Sequence, residues 1–165
     1  MANDAAQTPQ QPQQQQAPLT VNAQYIKDLS FEIPGAPAIF GELAQAAPEL
    51  NVQVGIDTQH LGETVYEAAL RMTVEAKIKD KVAFICDLTY AGIFTLVLPQ
   101  EHVQPVLMVE CPRLLFPFCR SIIADATREG GFPPVLLQPL DFLELYRQRM
   151  QAAANEQPAD GTAKA

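Results

Sequence analysis

A chain of 165 residues, 48% of them hydrophobic, is long enough for one domain with a sizeable core. Its formal net charge of -8 argues against a nucleic-acid phosphate partner, since such binding rests on clustered cations that release counterions, and favours basic or unfolded polypeptides instead. Three cysteines, Cys86, Cys111 and Cys119, form no C-x-x-C pair and are odd in number, a usage that suits a reducing cytoplasm.

Residues 1–20 are Gln/Pro-rich, with Gln13 to Gln16 consecutive and no aromatic side chain, and cannot bury enough apolar surface to offset ordering entropy. A disordered tail is expected there, followed by a domain over 21–150 and a second solvated tail over 151–165. The domain opens with Tyr25 to Phe40. Leu29, Phe31 and Ile33 alternate with Asp28, Ser30 and Glu32, the pattern of a strand with one buried face, which puts Asp28 and Glu32 on the other face about 13 Å apart. Pro34, Gly35 and Pro37 end that pattern. The loop from Pro34 to Pro48 carries Ile39, Phe40 and Leu43, which either plug the core or form an exposed functional segment.

Leu50, Val52, Val54 and Ile56 predict the inner face of a second strand, with Gly62 at the turn. The third strand has the longest alternation, Tyr66, Ala68, Leu70, Met72, Val74, Ala76 and Ile78 pointing inward, and Lys79 to Lys81 turn the chain. In Val82 to Leu98 the residues Phe84, Cys86, Leu88 and Tyr90 share one face, while Val82, Ala83 and Ile85 add apolar character to both. Antiparallel sheets normally leave one face to solvent, so the second face is covered by another subunit, a ligand, or a helix or terminus of the same chain.

The remainder reads as helical. A first helix is expected over Gln100 to Met108, broken by Cys111-Pro112, and a second carries Leu115, Cys119, Ile122, Ile123 and Ala126 until Gly130-Gly131 stops it. Phe132 to Pro139 is an apolar connector. Asp141 and Glu144 resemble a capping box for a last helix to about Met150, burying Phe142, Leu145 and Tyr146.

No catalytic, metal or cofactor motif emerges. His60 and His102 stand in no ligand pattern, no phosphate-binding glycine motif is present, and Cys86 between Phe84 and Leu88 has the setting of a small buried hydrophobe. No apolar run approaches the ~20 residues of a membrane span, and the first cation is Lys27, too late for a signal peptide. A cytoplasmic protein without membrane insertion is expected. Asp28, Glu32 and Asp87 join into an acidic patch if the first and fourth strands present the same outer face.

Several stretches, in order, resemble the SecB family of export chaperones: Lys27-Asp28-Leu29-Ser30-Phe31-Glu32 before Pro34-Gly35-Ala36-Pro37, then Val65-Tyr66-Glu67, Ala83 to Asp87 and Gly92-Ile93-Phe94. Cys111 to Pro117, Gly131-Phe132-Pro133 and Pro139 to Phe142 follow. The resemblance implies an α+β fold, a four-stranded antiparallel sheet with helices on one face, assembled as a homotetramer that is a dimer of dimers. It implies an ATP-independent holdase for nonnative secretory preproteins. Grooves for the preprotein would be lined by Phe40, Leu43, Phe84, Leu88, Tyr90, Phe116 and Phe118. The translocase motor SecA would dock on Asp28, Glu32 and Asp87, with Ile85 beside them. Gly41 to Pro48 departs from the family pattern in being short and free of tryptophan. Other readings are a SecB-like chaperone of a toxin-antitoxin system, and a small-ligand binding protein or hydrolase using Cys86 or His60.

Overall fold

A computed structural model describes residues 17–156; the Gln13 to Gln16 tract and residues 157–165 lie outside the described residues. Four strands, β1 (Leu19–Glu32), β2 (Glu49–Gly62), β3 (Val65–Ile78) and β4 (Lys81–Leu96), form one antiparallel sheet in the order β1-β4-β3-β2. The last three strands are consecutive hairpins. The β3–β4 turn at Lys79-Asp80 has φ of 49° and 66°, the two positive values that suit a two-residue hairpin twisted with its strands. β1 returns to the far side of β4, and its pairing begins at Leu19, inside the segment expected to be tail.

The third strand is as its alternation predicts, with Ala68, Leu70, Met72, Val74, Ala76 and Ile78 all buried. β2 differs along its length. Ile56 is buried, but Leu50 is 48% exposed and Val52 is also exposed, because the helical layer does not reach the first half of this edge strand. In β1 the residue Lys27 has no cross-strand partner, so Ile26 and Leu29 stand opposite Tyr90 and Leu88 on the same face despite being three apart. That face is open over Leu29, 41% exposed, and closes only at Phe31.

The loop after β1 contains a single turn of helix, α1 (Ile39–Leu43), which buries Ile39 in the core and leaves Phe40 at the surface. The loop thus plugs the core through Ile39 and exposes the next residue, Phe40. Lys81 bonds Glu42 and ties α1 to the β3–β4 turn.

The expected break at Cys111-Pro112 does not occur. α2 (Gln100–Pro105) runs through a π turn at Val106–Glu110 into α3 (Cys111–Glu129). Proline has no N–H for the carbonyl four residues back and its ring crowds that carbonyl; the wider turn, in which the Cys111 N–H donates to Val106 O, relieves the conflict without ending the helix. α3 stops where expected: Gly131 takes φ of 86°, and the Phe132 N–H donates to Thr127 O. α4 (Phe142–Glu156) begins with Asp141 Oδ1 accepting from the Glu144 N–H, but Glu144 turns to Gln148 instead of reaching back, so half of the capping box forms. The helix also continues past Met150, and its residues 151–155 are exposed. α3 packs on β3 and β4, the π turn and α4 lie toward β2, and among the described residues no helix covers the opposite face of the sheet.

Thr127 pins the connector to α3. Its buried hydroxyl donates to Ile123 O at 2.9 Å and accepts the Val135 N–H at 3.0 Å, which holds Val135 and Leu137 against the core. Thr127→Val keeps the shape but leaves that N–H unpaired, and is expected to cost about 1–3 kcal/mol, read as a lowered urea midpoint at unchanged slope.

Candidate functional site

The helix-free face of the sheet is built by register. Glu32 stands opposite Ile85, Ser30 opposite Asp87 and Asp28 opposite Thr89, and strands in a sheet are spaced ~4.8 Å apart. Asp28, Glu32, Ile85 and Asp87 are thereby brought together on one surface. β3 flanks β4 on its other side, where Glu75 pairs with Ile85 and Thr73 with Asp87. The Thr73 hydroxyl donates to Asp87 Oδ1 at 2.6 Å and fixes that carboxylate. Thr73 and Glu75 were visible as outward residues of the third strand; what the sequence lacked was that β3 and β1 both flank β4.

A second cluster sits farther along the same face. Tyr25, opposite Ala91 on β4, reaches over that strand to donate a hydrogen bond from its hydroxyl to Glu67 on β3, and Lys27 donates to the same carboxylate at 2.6 Å. Ala91 and Ala69 in the row that Tyr25 crosses are buried although no helix covers them. Some of the apolar character of β4 on this face is thus covered by a neighbouring strand of the same chain. The bond to Glu67, reinforced by burial and by the carboxylate charge, pushes the Tyr25 phenol up to about 12. Hydrogen bonds from Lys27 and then Tyr25 hold Glu67 below the usual carboxylate range against the opposing effect of burial.

The apolar candidates divide. Phe84, Leu88 and Tyr90 are buried beneath the helices, Phe116 is buried within the helical layer, Leu43 is half-buried, and Phe40 and Phe118 are exposed, at 37% and 48%. Phe84 stacks on Phe31 at 5.3 Å and meets Phe132 at 4.9 Å, and Phe132 meets Phe40, so rings run from the core to the surface of α1. Phe118 stacks on Tyr90 at 5.7 Å, while Phe116 faces Phe142 of α4. Phe116 and Phe118 therefore serve opposite flanks of α3. Exposed Val21, Ile26 and Leu29 continue the apolar surface on β1, and Leu50 and Val52 on β2. Ile26 escaped the sequence reading because the bulge at Lys27 shifts the alternation.

Burial pushes the Cys86 thiol up to about 11, with the Asp87 charge adding to it, and pushes Cys111 and Cys119 to about 12. All three lie within the core, in the protonated, inaccessible state opposite to that of a nucleophile. His60 stacks on Tyr66 and its Nε2 lies 2.9 Å from Glu63 O at the end of the β2–β3 hairpin. Among the described residues no cluster of three or more His, Cys, Asp or Glu side chains is arranged to hold a metal ion, and no helix is long and apolar enough to cross a membrane.

An open, acidic sheet face on one side and apolar margins beside the helices on the other define an α+β binding domain, whose contacts lie on surfaces and strand edges. The chain belongs to the SecB family: the family described as preprotein translocase subunit SecB matches residues 12–153. The protein-export protein SecB of Rhodospirillum rubrum is 51% identical over 148 residues, which span 90% of this chain and 92% of that protein. That of Paramagnetospirillum magneticum is 56% identical over 144 residues, 87% and 91% of the two chains. A Mycobacterium tuberculosis SecB-like chaperone, solved with a peptide from an antitoxin, has the same fold, with a TM-score of 0.64, 13% identity and coverage of 75% of this chain and 91% of that one.

The Glu67 cluster predicts a pH dependence. A carboxyl held below its ordinary value of 4.5 stabilises the fold fully above that pH, and the contribution is lost as pH falls through the lower folded value. Glu67→Gln is expected to cost about 1 kcal/mol at pH 7, the upper end for a partly exposed pair. In urea titrations run at successive pH values, the gap from the native protein should close below the ordinary carboxylate range.

Proposed function

We propose that this chain is an ATP-independent holdase that binds nonnative secretory preproteins in the cytosol, keeps them competent for translocation and hands them to SecA. The observation that carries the reading is the pairing of β1 with β4, which assembles Asp28, Glu32, Asp87 and Ile85 into one acidic surface with an apolar member. Kinship with proteins named for export, about half identical over most of the chain, supports the same reading and favours export over a toxin-antitoxin role.

Client capture would use the other side of the sheet. Each large side chain sequestered there contributes roughly 1.5–3 kcal/mol, so single contacts are reversible. In a homotetramer, a dimer of dimers, an unfolded chain that engages one subunit meets the next at high effective concentration. Phe40 and Phe118 offer the first contacts, and Phe84, Leu88, Tyr90 and Phe116 become available only where the helical layer or α1 moves aside; Leu43 stands between these groups. Folded proteins present too few apolar segments to span several subunits, which gives selectivity without reading a sequence.

Native mass spectrometry of the protein with a slowly folding precursor, without nucleotide, should give a tetramer that holds the precursor and loses it once the precursor has folded. A monomer indifferent to unfolded chains overturns the holdase reading. Asp28→Asn, Glu32→Gln and Asp87→Asn combined should weaken SecA binding about tenfold or more at low salt, each exposed charge being worth up to ~1 kcal/mol. Precursor capture should be unchanged; unaltered SecA affinity would place docking elsewhere.

A further inference from the structure

The helix-free face is sorted by charge. Lys27, Arg71 and Lys77 all lie on it, and each is taken by a carboxylate outside the docking set: Lys27 by Glu67 at 2.6 Å, Arg71 Nε by Asp57 Oδ2 at 2.8 Å, Lys77 by Glu75 at 3.0 Å. Among the described residues Asp28, Glu32 and Asp87 enter no ion pair.

Arg71 is the informative case. It stands between Thr89 on β4 and Gly55 on β2, so Asp87, two residues from Thr89 on the same face, is its diagonal neighbour and within reach of a long side chain. The guanidinium nevertheless lies the other way, over β2. Gly55 leaves it room to lie close: a Cβ there would come within 3.2 Å of Nη2 and 3.4 Å of Nε of Arg71, tighter than ordinary van der Waals contact. On the side that Arg71 vacates is an open bowl of about 270 Å³ lined by Gln53, Gly55, Arg71, Thr73, Asp87 and Thr89.

We propose that Gly55 and Asp57 are positioning residues that draw Arg71 off Asp87, leaving the Asp87 carboxylate and the bowl before it open to a lysine or arginine of the docking partner. The inference rests on the sheet face being the SecA-docking surface and deepens that reading. Gly55 provides the space and Asp57 the counter-charge. Thr73 holds Asp87 toward the bowl through a hydrogen bond from an uncharged donor.

The decisive substitution alters no charge. Gly55→Val brings a Cβ to 3.2 Å from the guanidinium and adds two methyls beside it, crowding Arg71 off β2 so that it can turn back to Asp87. SecA binding, measured by calorimetry at low salt, should weaken about fivefold, the ceiling for one exposed ion pair. Adding Arg71→Ala to Gly55→Val should restore affinity to that of Arg71→Ala alone, and Asp57→Asn should weaken binding with the same rescue. Unchanged affinity in Gly55→Val, or a loss that Arg71→Ala fails to rescue, overturns the inference. If Gly55→Val does not fold, Asp57→Asn with and without Arg71→Ala decides the matter in the same way. Asp87→Asn separates the two layers: if it leaves SecA binding intact, the docking surface itself is misassigned, whereas a loss with it and none with Gly55→Val removes only the role of Gly55 and Asp57.

Discussion

The chain leaves β1, makes three hairpin-linked strands, and must then place the first strand beside the last; the hydrogen bonding of β1 to β4 is the constraint on which the rest of the molecule depends. Without it β4 would be an edge strand with both faces apolar, a template for pairing with other chains. With it, β4 is central, its inner side chains pack under α3, and its outer ones are flanked by Tyr25, Ser30 and Glu32 from one neighbour and by Glu67, Thr73 and Glu75 from the other. The same pairing brings together carboxylates that are more than fifty residues apart in sequence.

Because successive side chains alternate across a sheet, one set of strands can carry two unrelated surfaces. The inner surface holds the core and its apolar margins, where partial burial of β1 and β2 leaves contact area beside the helices. The outer surface holds ordered charge. Its pairs are weak individually, as exposed ion pairs are, and their importance is directional: Glu67, Asp57 and Glu75 each determine where a cation points, and so which carboxylates keep an uncompensated field. In the function proposed above the two surfaces would serve at once, one keeping an unfolded chain while another protein engages the other.

The long helical segment illustrates how local rules yield to packing. Cys111-Pro112 reads as a boundary, and in an isolated peptide a proline there would favour one. Leu107, Met108, Val109, Cys111, Leu115 and Cys119 are all buried against the sheet and α4, and ending the helix would forfeit much of that burial. A π turn at Val106–Glu110 accommodates the proline at the loss of a regular turn. The bulge at Lys27 is a comparable adjustment in β1: it moves Ile26 to the inner face and sends the Lys27 side chain to Glu67.

Whatever depends on neighbours along the chain could be read before any fold was known: the third strand's inner face from Tyr66 to Ile78, the hairpin at Lys79-Asp80, the stop at Gly131, the Asp141 cap, and the family motifs that imply a client-binding chaperone. Periodicity and turn chemistry are local, so they are legible without a fold. The strand order, and with it the meeting of Asp28 and Glu32 with Asp87, was decided only in tertiary structure, because pairing partners distant in sequence leave no local trace. So was the fate of Phe84, Leu88 and Tyr90, which lie under the helices, and of Phe116, which faces α4, while Phe118 on the same helix stays exposed. Whether an apolar side chain is buried depends on what packs over it, and on this sheet the covering helices arise from residues that follow every strand they cover.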